Sequence, residues 1–322
     1  MDAPTTSVVA VDWGTSHLRV WTLDGDGKAI ACHRSDRGMR TVERDEFAQV
    51  LNAELESLDV DAETPVIMCG MVGSRQGWQE APYNKMPCRI DAIATNAVQI
   101  ADVERDIRIL PGIAHFSTTK PDVMRSEETQ LLGLFDMLGD ELSGLVCMPG
   151  SHAKWVRIEN GLALDFATSM SGELFAALSA SSVLQHSLKN AANKVDPQSE
   201  VFTNAVRNSL SDPATVLTRL FAARPQSLLN QMSDDDAAAH ISGTIIGQDI
   251  AGAIARFAPV HSTTLVGSGH LGALYTQALQ IAGLQSKIVD GDELAILGLS
   301  HAAKLIWPDR FDPAVTNNRA SQ

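Results

Sequence analysis

Asp12, Gly14, Thr15 and Ser16 stand together in Val11-Asp-Trp-Gly-Thr-Ser16, and their side chains have the chemistry to hold a phosphate and a metal. A carboxylate at Asp12 can carry a hydrated divalent cation through its waters, while Gly14 admits a ligand close to the backbone and Thr15 and Ser16 add hydroxyls and amides. The same residues are also ordinary turn chemistry, since Asp and Gly bend a chain without any ligand. Recurrence favours the first reading. Pro149-Gly-Ser-His152 is a second small polar cluster, with Gly150, Ser151 and His152 as donors and Lys154 two residues on. Two such tips can face each other across a cleft.

Two further glycine-rich stretches stand where ligands are often met. Gly70-Met-Val-Gly-Ser-Arg-Gln-Gly-Trp78, with Gly73 and Arg75, follows an apolar run, as ligand loops of open α/β sheets do. Gly267-Ser-Gly-His-Leu-Gly272 spells the dinucleotide pattern G-x-G-x-x-G, and Asp290 ends the next strand. Only about fifty residues follow it, too few to complete a nicotinamide-binding half. A strand-glycine-helix turn beside an adenosine explains the pattern equally well.

The elements that must position these residues follow from periodicity. Val8 to Val11 is β-branched and Leu18 to Leu23 alternates, so Trp13 to His17 reads as a hairpin tip. A turn at Asp24-Gly-Asp-Gly27 leads to a third strand over Ala29 to Arg34. Glu43 to Leu58 sets Phe47, Val50, Leu51, Leu55 and Leu58 on one helical face. Pro65 to Cys69 is a buried strand, Ile90 to Val103 a helix, and Ile107 to Leu110 a strand. Ser126 to Leu138 is a helix with Ser126 as N-cap, Glu127 and Glu128 in its first turn, and Leu131, Leu132, Phe135 and Leu138 facing inward. The order is βββαβαβα.

From Gly144 it begins again, with strands at Leu145 to Met148, Lys154 to Ile158 and Leu162 to Ala167. A helical insertion over about 171–257 follows, broken by Asn193 to Glu200, Pro213 and Pro225. Strands at Thr263 to Val266 and Lys287 to Val289 then alternate with helices at Leu271 to Ala282 and Asp292 to Ile306. The expectation is an α/β protein of two like domains, 1–138 and 139–322.

Composition narrows the partners. A chain of 322 residues, 44% hydrophobic, is long enough for two cores. A formal charge of −14 repels a phosphate backbone, so nucleic acid is not expected. With no run of eighteen apolar residues and no signal-like start at Met1-Asp-Ala-Pro-Thr-Thr6, no membrane is expected and the cytoplasm is. The single cysteines Cys32, Cys69, Cys88 and Cys147 read as buried small hydrophobes. With no C-x-x-C or H-E-x-x-H spacing, zinc is not expected.

Val9-Ala-Val-Asp-Trp-Gly-Thr-Ser-His-Leu-Arg-Val-Trp21, Met68-Cys-Gly-Met-Val-Gly-Ser-Arg-Gln-Gly-Trp78 with Ala81-Pro-Tyr83, Val123-Met-Arg-Ser-Glu-Glu-Thr-Gln-Leu-Leu-Gly133, Met148-Pro-Gly-Ser-His-Ala-Lys-Trp-Val156 and Met170-Ser-Gly-Glu-Leu174 resemble the 2-keto-3-deoxygalactonokinases. That family lies within the superfamily of actin, heat-shock chaperones and sugar kinases. The resemblance implies two ribonuclease-H-like domains of the actin-like ATPase fold, closing on ATP and a sugar acid. It implies ATP-dependent phosphorylation of 2-keto-3-deoxygalactonate at its terminal hydroxyl, with Asp12 holding Mg2+ through water. The triphosphate would run between Gly14–Ser16 and Gly150–His152, and adenosine would lie near Gly267 and Gly269.

The resemblance also implies a catalytic carboxylate at the start of the helix before the second tip, here Glu127 or Glu128, where larger carbohydrate kinases use Asp. Acidic residues at a helix start are also stabilised there without catalysis. A substrate carboxylate calls for the arginine fork, with Arg125, Arg75 and Arg37 as candidates and Gly73 in the adjoining loop. Lys154 could neutralise phosphate charge. The expected partners are a small sugar acid and ATP, with a homodimer left open. The alternatives are a kinase of another small sugar, an NAD-dependent oxidoreductase and a non-catalytic nucleotide-binding regulator.

Overall fold

The computed structural model describes residues 5–101, 103–189, 191 and 195–311. The chain divides into two compact units. The first takes the residues up to Ser143, then Glu159–Leu164 and the segment from Gly291; the second takes Gly144–Ile158 and Asp165–Asp290.

The chain opens with β1 (Val8–Trp13), β2 (Leu18–Leu23), β3 (Ala29–Ser35), α1 (Phe47–Ser57) and β4 (Val66–Gly70). Short strands β5 (Tyr83–Lys85), β6 (Cys88–Arg89) and β7 (Val98–Gln99) follow. Next come β8 (Ile107–Ile109), β9 (Gly112–His115), β10 (Asp122–Met124) and α2 (Glu127–Leu138). After these stand β11 (Gly144–Met148), β12 (Ala153–Glu159), β13 (Leu162–Ser169), α3 (Ser171–Ser181), α4 (Glu200–Ser211), α5 (Val216–Leu229) and α6 (Asp234–Phe257). The chain closes with β14 (Ser262–Val266), α7 (Gly269–Ile281), β15 (Gln285–Val289) and α8 (Gly291–Ile306).

In the first unit the sheet runs β3-β2-β1-β4-β8-β7. β1 is antiparallel to β2 and parallel to β4, and β4 is parallel to β8. Every position of β1 is buried, so its sequence is continuously apolar up to Asp12. Val9, Val11 and Trp13 pack into one cluster with Phe47, Val50 and Leu51 of α1. Asp12, out of phase with them, points to the other face, where α8 packs on β1 and β4. α8 also crosses α2 at backbone contact: a Cβ on Gly133 would lie 2.0 Å from the Leu294 carbonyl oxygen, and one on Gly298 would lie 2.0 Å from that of Thr129. This crossing fixes the start of α2 against the sheet.

In the second unit the order β15-β14-β11-β12-β13 repeats β8-β4-β1-β2-β3. β11 pairs antiparallel with β12 and parallel with β14, as β1 does with β2 and β4. The insert is helical, and α4 lies along α6 with Gly243 and Gly247 giving way to the Phe202 and Val206 backbone. No helix among the described residues is long and apolar enough to cross a membrane.

Several expectations are corrected. α8 packs with the first unit instead of completing a domain 139–322, because its apolar residues Leu294, Ala295, Leu299 and Ala302 are buried in a helix that covers β1, β4 and α2. Ile90 to Val103 is no helix. It is a 3-10 turn over Asp91–Asn96 followed by β7, which pairs with β8; Thr95 and Asn96 are weak helix formers and take local partners at Ala92 and Asn84.

Pro225 lies within α5 instead of breaking it, forgoing one backbone bond near the exposed Phe221. Of the expected break 193–200, residues 193 and 194 lie outside the described residues. Cys69 and Cys147 are buried as expected, but Cys32 is exposed and Cys88 partly so; Cys32 lies on the mostly exposed edge strand β3.

Candidate active site

The first tip closes with the Gly14 amide donating to the His17 carbonyl at 2.9 Å, leaving Thr15 and Ser16 exposed. The tip carbonyls are held from behind, since the Met39 and Arg40 amides donate to those of Gly14 and Thr15 at 3.0 Å each.

Asp12 is buried at the end of β1, and its Oδ2 accepts from Arg19, its register partner on β2. Arg19 also donates to Asp292 on α8, whose other oxygen accepts from Arg34 at 3.0 Å. Burial pushes the Asp12 carboxyl above the usual range, against the pull of Arg19. Gly70, at φ +98, leaves room beside the other oxygen: a Cβ there would lie 3.1 Å from Asp12 Oδ1 and 2.6 Å from the Trp13 carbonyl oxygen. Among the described residues no group of three or more His, Cys, Asp or Glu could hold a metal. The donor set fits Mg2+, which keeps most of its waters and takes one or two carboxylates plus phosphate oxygens.

At the start of α2, Glu128 is wholly buried. Ser126 occupies the N-cap position at φ +98, a strained value for a non-glycine residue, and its side chain makes no cap bond. The carboxylates turn back instead: Glu128 accepts from the Ser126 amide at 2.9 Å and Glu127 from the Arg125 amide at 3.0 Å. Burial, reinforced by the charge of Glu127, pushes Glu128 up to about 8. Cys69, at the end of β4, feels both Asp12 and Glu128, and burial with these two charges raises its thiol well above the usual value. The expected metal holder and one expected base therefore flank a single strand end.

The three arginines separate. Arg125 is buried, with Nη2 donating to the Ala81 carbonyl at 2.7 Å and its Cζ 4.4 Å from the centre of the Tyr83 ring. Gly73 adjoins it, since a Cβ there would lie 2.9 Å from Nη1. Arg75 is solvated, its side chain 82% exposed and 3.8 Å from Glu80. Arg37 is exposed, and it is its carbonyl that is held, by Trp13 Nε1 at 2.9 Å. The structure brings Arg125 and Gly73 together and does not add Arg75 or the Arg37 side chain.

In the second unit the Gly150–His152 tip rests on the start of α3. Gly172 allows this, as a Cβ there would lie 2.4 Å from the Gly150 carbonyl oxygen, and the Glu173 amide donates to the Ser151 carbonyl at 2.9 Å. His152 hydrogen-bonds the Glu173 carboxylate, and the buried Lys154 donates from below to the His152 carbonyl at 2.9 Å. The G-x-G-x-x-G loop lies beside this tip, with a Cβ on Gly267 falling 3.8 Å from Pro149. Gly269 adopts φ +61 at the start of α7. A mostly apolar cavity of about 360 Å³ opens next to it, lined by Gly172, Phe175, Ile246, His270, Leu274 and Tyr275. One wall is braced by Asp249, which accepts from Tyr275 at 2.6 Å and from Trp155 Nε1 at 2.9 Å.

Arg19, Asp292, Gly70, Tyr83 and the Tyr275–Asp249 pair are absent from the sequence-based candidates. A signal existed for Arg19, because residues 12 and 19 flank the first tip symmetrically in an antiparallel pair. The others come together only through tertiary packing.

A family model described as 2-keto-3-deoxy-galactonokinase matches residues 12–302. A Rhizobium meliloti (strain 1021) protein, designated probable 2-dehydro-3-deoxygalactonokinase, is 46% identical over 93% of this chain and 97% of its own length. The 2-dehydro-3-deoxygalactonokinase of Escherichia coli (strain K12) is 34% identical over 92% of this chain and 99% of its own. The crystal structure of a protein assigned as a 2-dehydro-3-deoxygalactonokinase, from Sinorhizobium meliloti, superposes with a TM-score of 0.90 at 46% identity, over 94% of this chain and 99% of that one. The chain belongs to the 2-keto-3-deoxy-galactonokinase family.

Proposed function

We propose that the protein transfers the γ-phosphoryl group of ATP to the C6 hydroxyl of 2-dehydro-3-deoxy-D-galactonate, a step in galactonate breakdown. The substrate assignment rests on family membership and on the names of the relatives. The observation that carries the chemistry is Glu128, a fully buried carboxyl group pushed up to about 8 whose charge, like that of Asp12, is felt at Cys69. A general base works best when its pKa lies near the working pH. Glu128 takes the proton of the hydroxyl as its oxygen bonds to the γ-phosphorus, and the bond from that phosphorus to the bridging oxygen breaks to leave ADP.

Phosphoryl transfer asks mainly for positioning and charge neutralisation. Asp12, with Gly70 leaving room beside its Oδ1, would hold Mg2+ through water, and Mg2+ would supply charge neutralisation at the phosphates. Thr15, Ser16, Gly150, Ser151 and His152 offer amides and hydroxyls to the phosphate chain, Gly14 lets it approach the backbone, and Lys154 adds positive charge. The adenine ring suits the cavity beside Gly267, Gly269 and Tyr275, whose walls are mainly apolar. We infer a cytoplasmic location, where ATP is at hand.

A coupled assay of ADP release with this sugar acid tests the proposal. Wild-type enzyme is expected to turn over, and Glu128→Gln to lose about 10²- to 10⁴-fold in kcat while still binding ATP. Failure of every sugar acid tried to elicit ADP release would reject the substrate class, and an unimpaired Glu128→Gln enzyme would reject the base.

A further inference from the structure

Arg125 is only 9% exposed, yet its Nε and Nη1 are buried without a hydrogen-bond partner. Buried donors are normally satisfied, and a buried cation is strongly so. Nη2 spends one hydrogen on the Ala81 carbonyl, and Tyr83 covers one face of the guanidinium. The second Nη2 hydrogen still forms a two-pronged edge with Nε–H or with an Nη1–H. Donors left in the plane of a stacked guanidinium match a planar acceptor with two oxygens. Glu127 and Glu128 accept from the backbone amides of Arg125 and Ser126, and the guanidinium charge acts on Glu128 without a hydrogen bond to Nε or Nη1.

We propose that Arg125 binds the carboxylate of the acceptor, and that this contact restricts the enzyme to 2-keto acids over neutral sugars. This rests on the sugar-acid kinase reading above. Tyr83 and Ala81 hold the guanidinium in one orientation before substrate arrives. Gly73 leaves room for it, because any side chain there would press on Nη1.

The test compares wild type, Arg125→Met and Arg125→Lys on the sugar acid and on the same sugar with a hydroxymethyl group replacing its carboxylate. Melting shifts with the acid alone and with ADP alone are measured in parallel. In wild type, the acid should be preferred in kcat/KM by at least about 100-fold, as expected where buried donors would otherwise go unpaired. That ratio should collapse in both variants, because Lys keeps the charge but loses the fork and the stack. The acid should raise the melting temperature of wild type and of neither variant, while ADP raises all three.

A folded variant that keeps the acid preference overturns the proposal. Loss of the ADP shift with the acid preference intact overturns it too, assigning the guanidinium to phosphate. If wild type turns over no sugar acid, the kinase reading fails separately; an Arg125-dependent shift with the acid would still support the carboxylate site, and its absence would reject that as well.

Discussion

Glu128 cannot be both fully buried and an ordinary carboxylate. Burial comes first among the causes that raise it, and the neighbouring charge of Glu127 adds to it, so proton loss is deferred to about pH 8. A base must be unprotonated to act. The kcat/KM of the proposed reaction should therefore rise about tenfold per pH unit up to about 8 and level off above it. An acid in the same place would give the opposite slope. Rate measurements from pH 6 to 9.5 distinguish the two, and a profile that falls through about pH 8 would remove Glu128 from the role of base. The pair Glu127–Glu128 was legible from sequence as a helix start, but the choice between them was not. It depends on which side chain the α2–α8 crossing encloses, and that partner lies far along the chain.

That crossing is an element-scale device. Gly298 meets the Thr129 carbonyl oxygen at a distance no side chain tolerates, one residue beyond Glu128. Gly298→Ala would gain about 1 kcal/mol of helix propensity, but forcing a methyl against backbone costs about 1–3 kcal/mol or more, and the clash should win. A lower melting temperature and a reduced kcat are expected together, because α2 cannot shift without moving Glu128. Gly252, on α6, has nothing within 4 Å of its Cβ position, so Gly252→Ala should instead gain up to about 1 kcal/mol. If Gly298→Ala is the more stable variant, the crossing does not constrain α2.

The elements that were legible carry their signal locally: β1 as an apolar run, β2 by alternation, both tips by glycine and hydroxyl residues. The three consecutive strands that open each unit followed from them. What escaped was non-local. An amphipathic α8 looks the same whichever unit it covers, and Ile90 to Val103 has apolar residues enough for a helix although its burial is set by neighbouring elements. Arg125 and Arg75 likewise differ only by what surrounds them.

Across the whole molecule, titratable groups fall into two sets that oppose each other. In Asp12, Glu128 and Asp249 burial is the largest influence and outweighs the local bonds, so each is raised in the folded state. In Asp91 and Asp136 bonds to Arg89 and His301 come first, in Asp106 bonds to Arg108 and Trp307 prevail over burial, and in Asp292 the charge and bonds of Arg19 with the bond from Arg34 do so, and these four are lowered. A lowered carboxylate contributes stability that is present above its unfolded value, 3.8 for Asp, and is lost as pH falls through its folded one. A raised carboxylate works the other way. Its contribution is complete below the unfolded value, 4.5 for Glu, and is lost as pH rises through the folded one, about 8 for Glu128.

Stability of the ligand-free protein should therefore peak in mild acid and decline toward about pH 8, and a formal charge of −14 steepens the decline by self-repulsion. Glu128→Gln removes the carboxyl that burial raises to about 8 while keeping the shape of the side chain, so its melting temperature should draw ahead of wild type as pH rises from 5 to 8.5. Parallel curves would mean that Glu128 is ionised in the folded protein at neutral pH. The rate profile and the melting curves would then have to be explained by different groups.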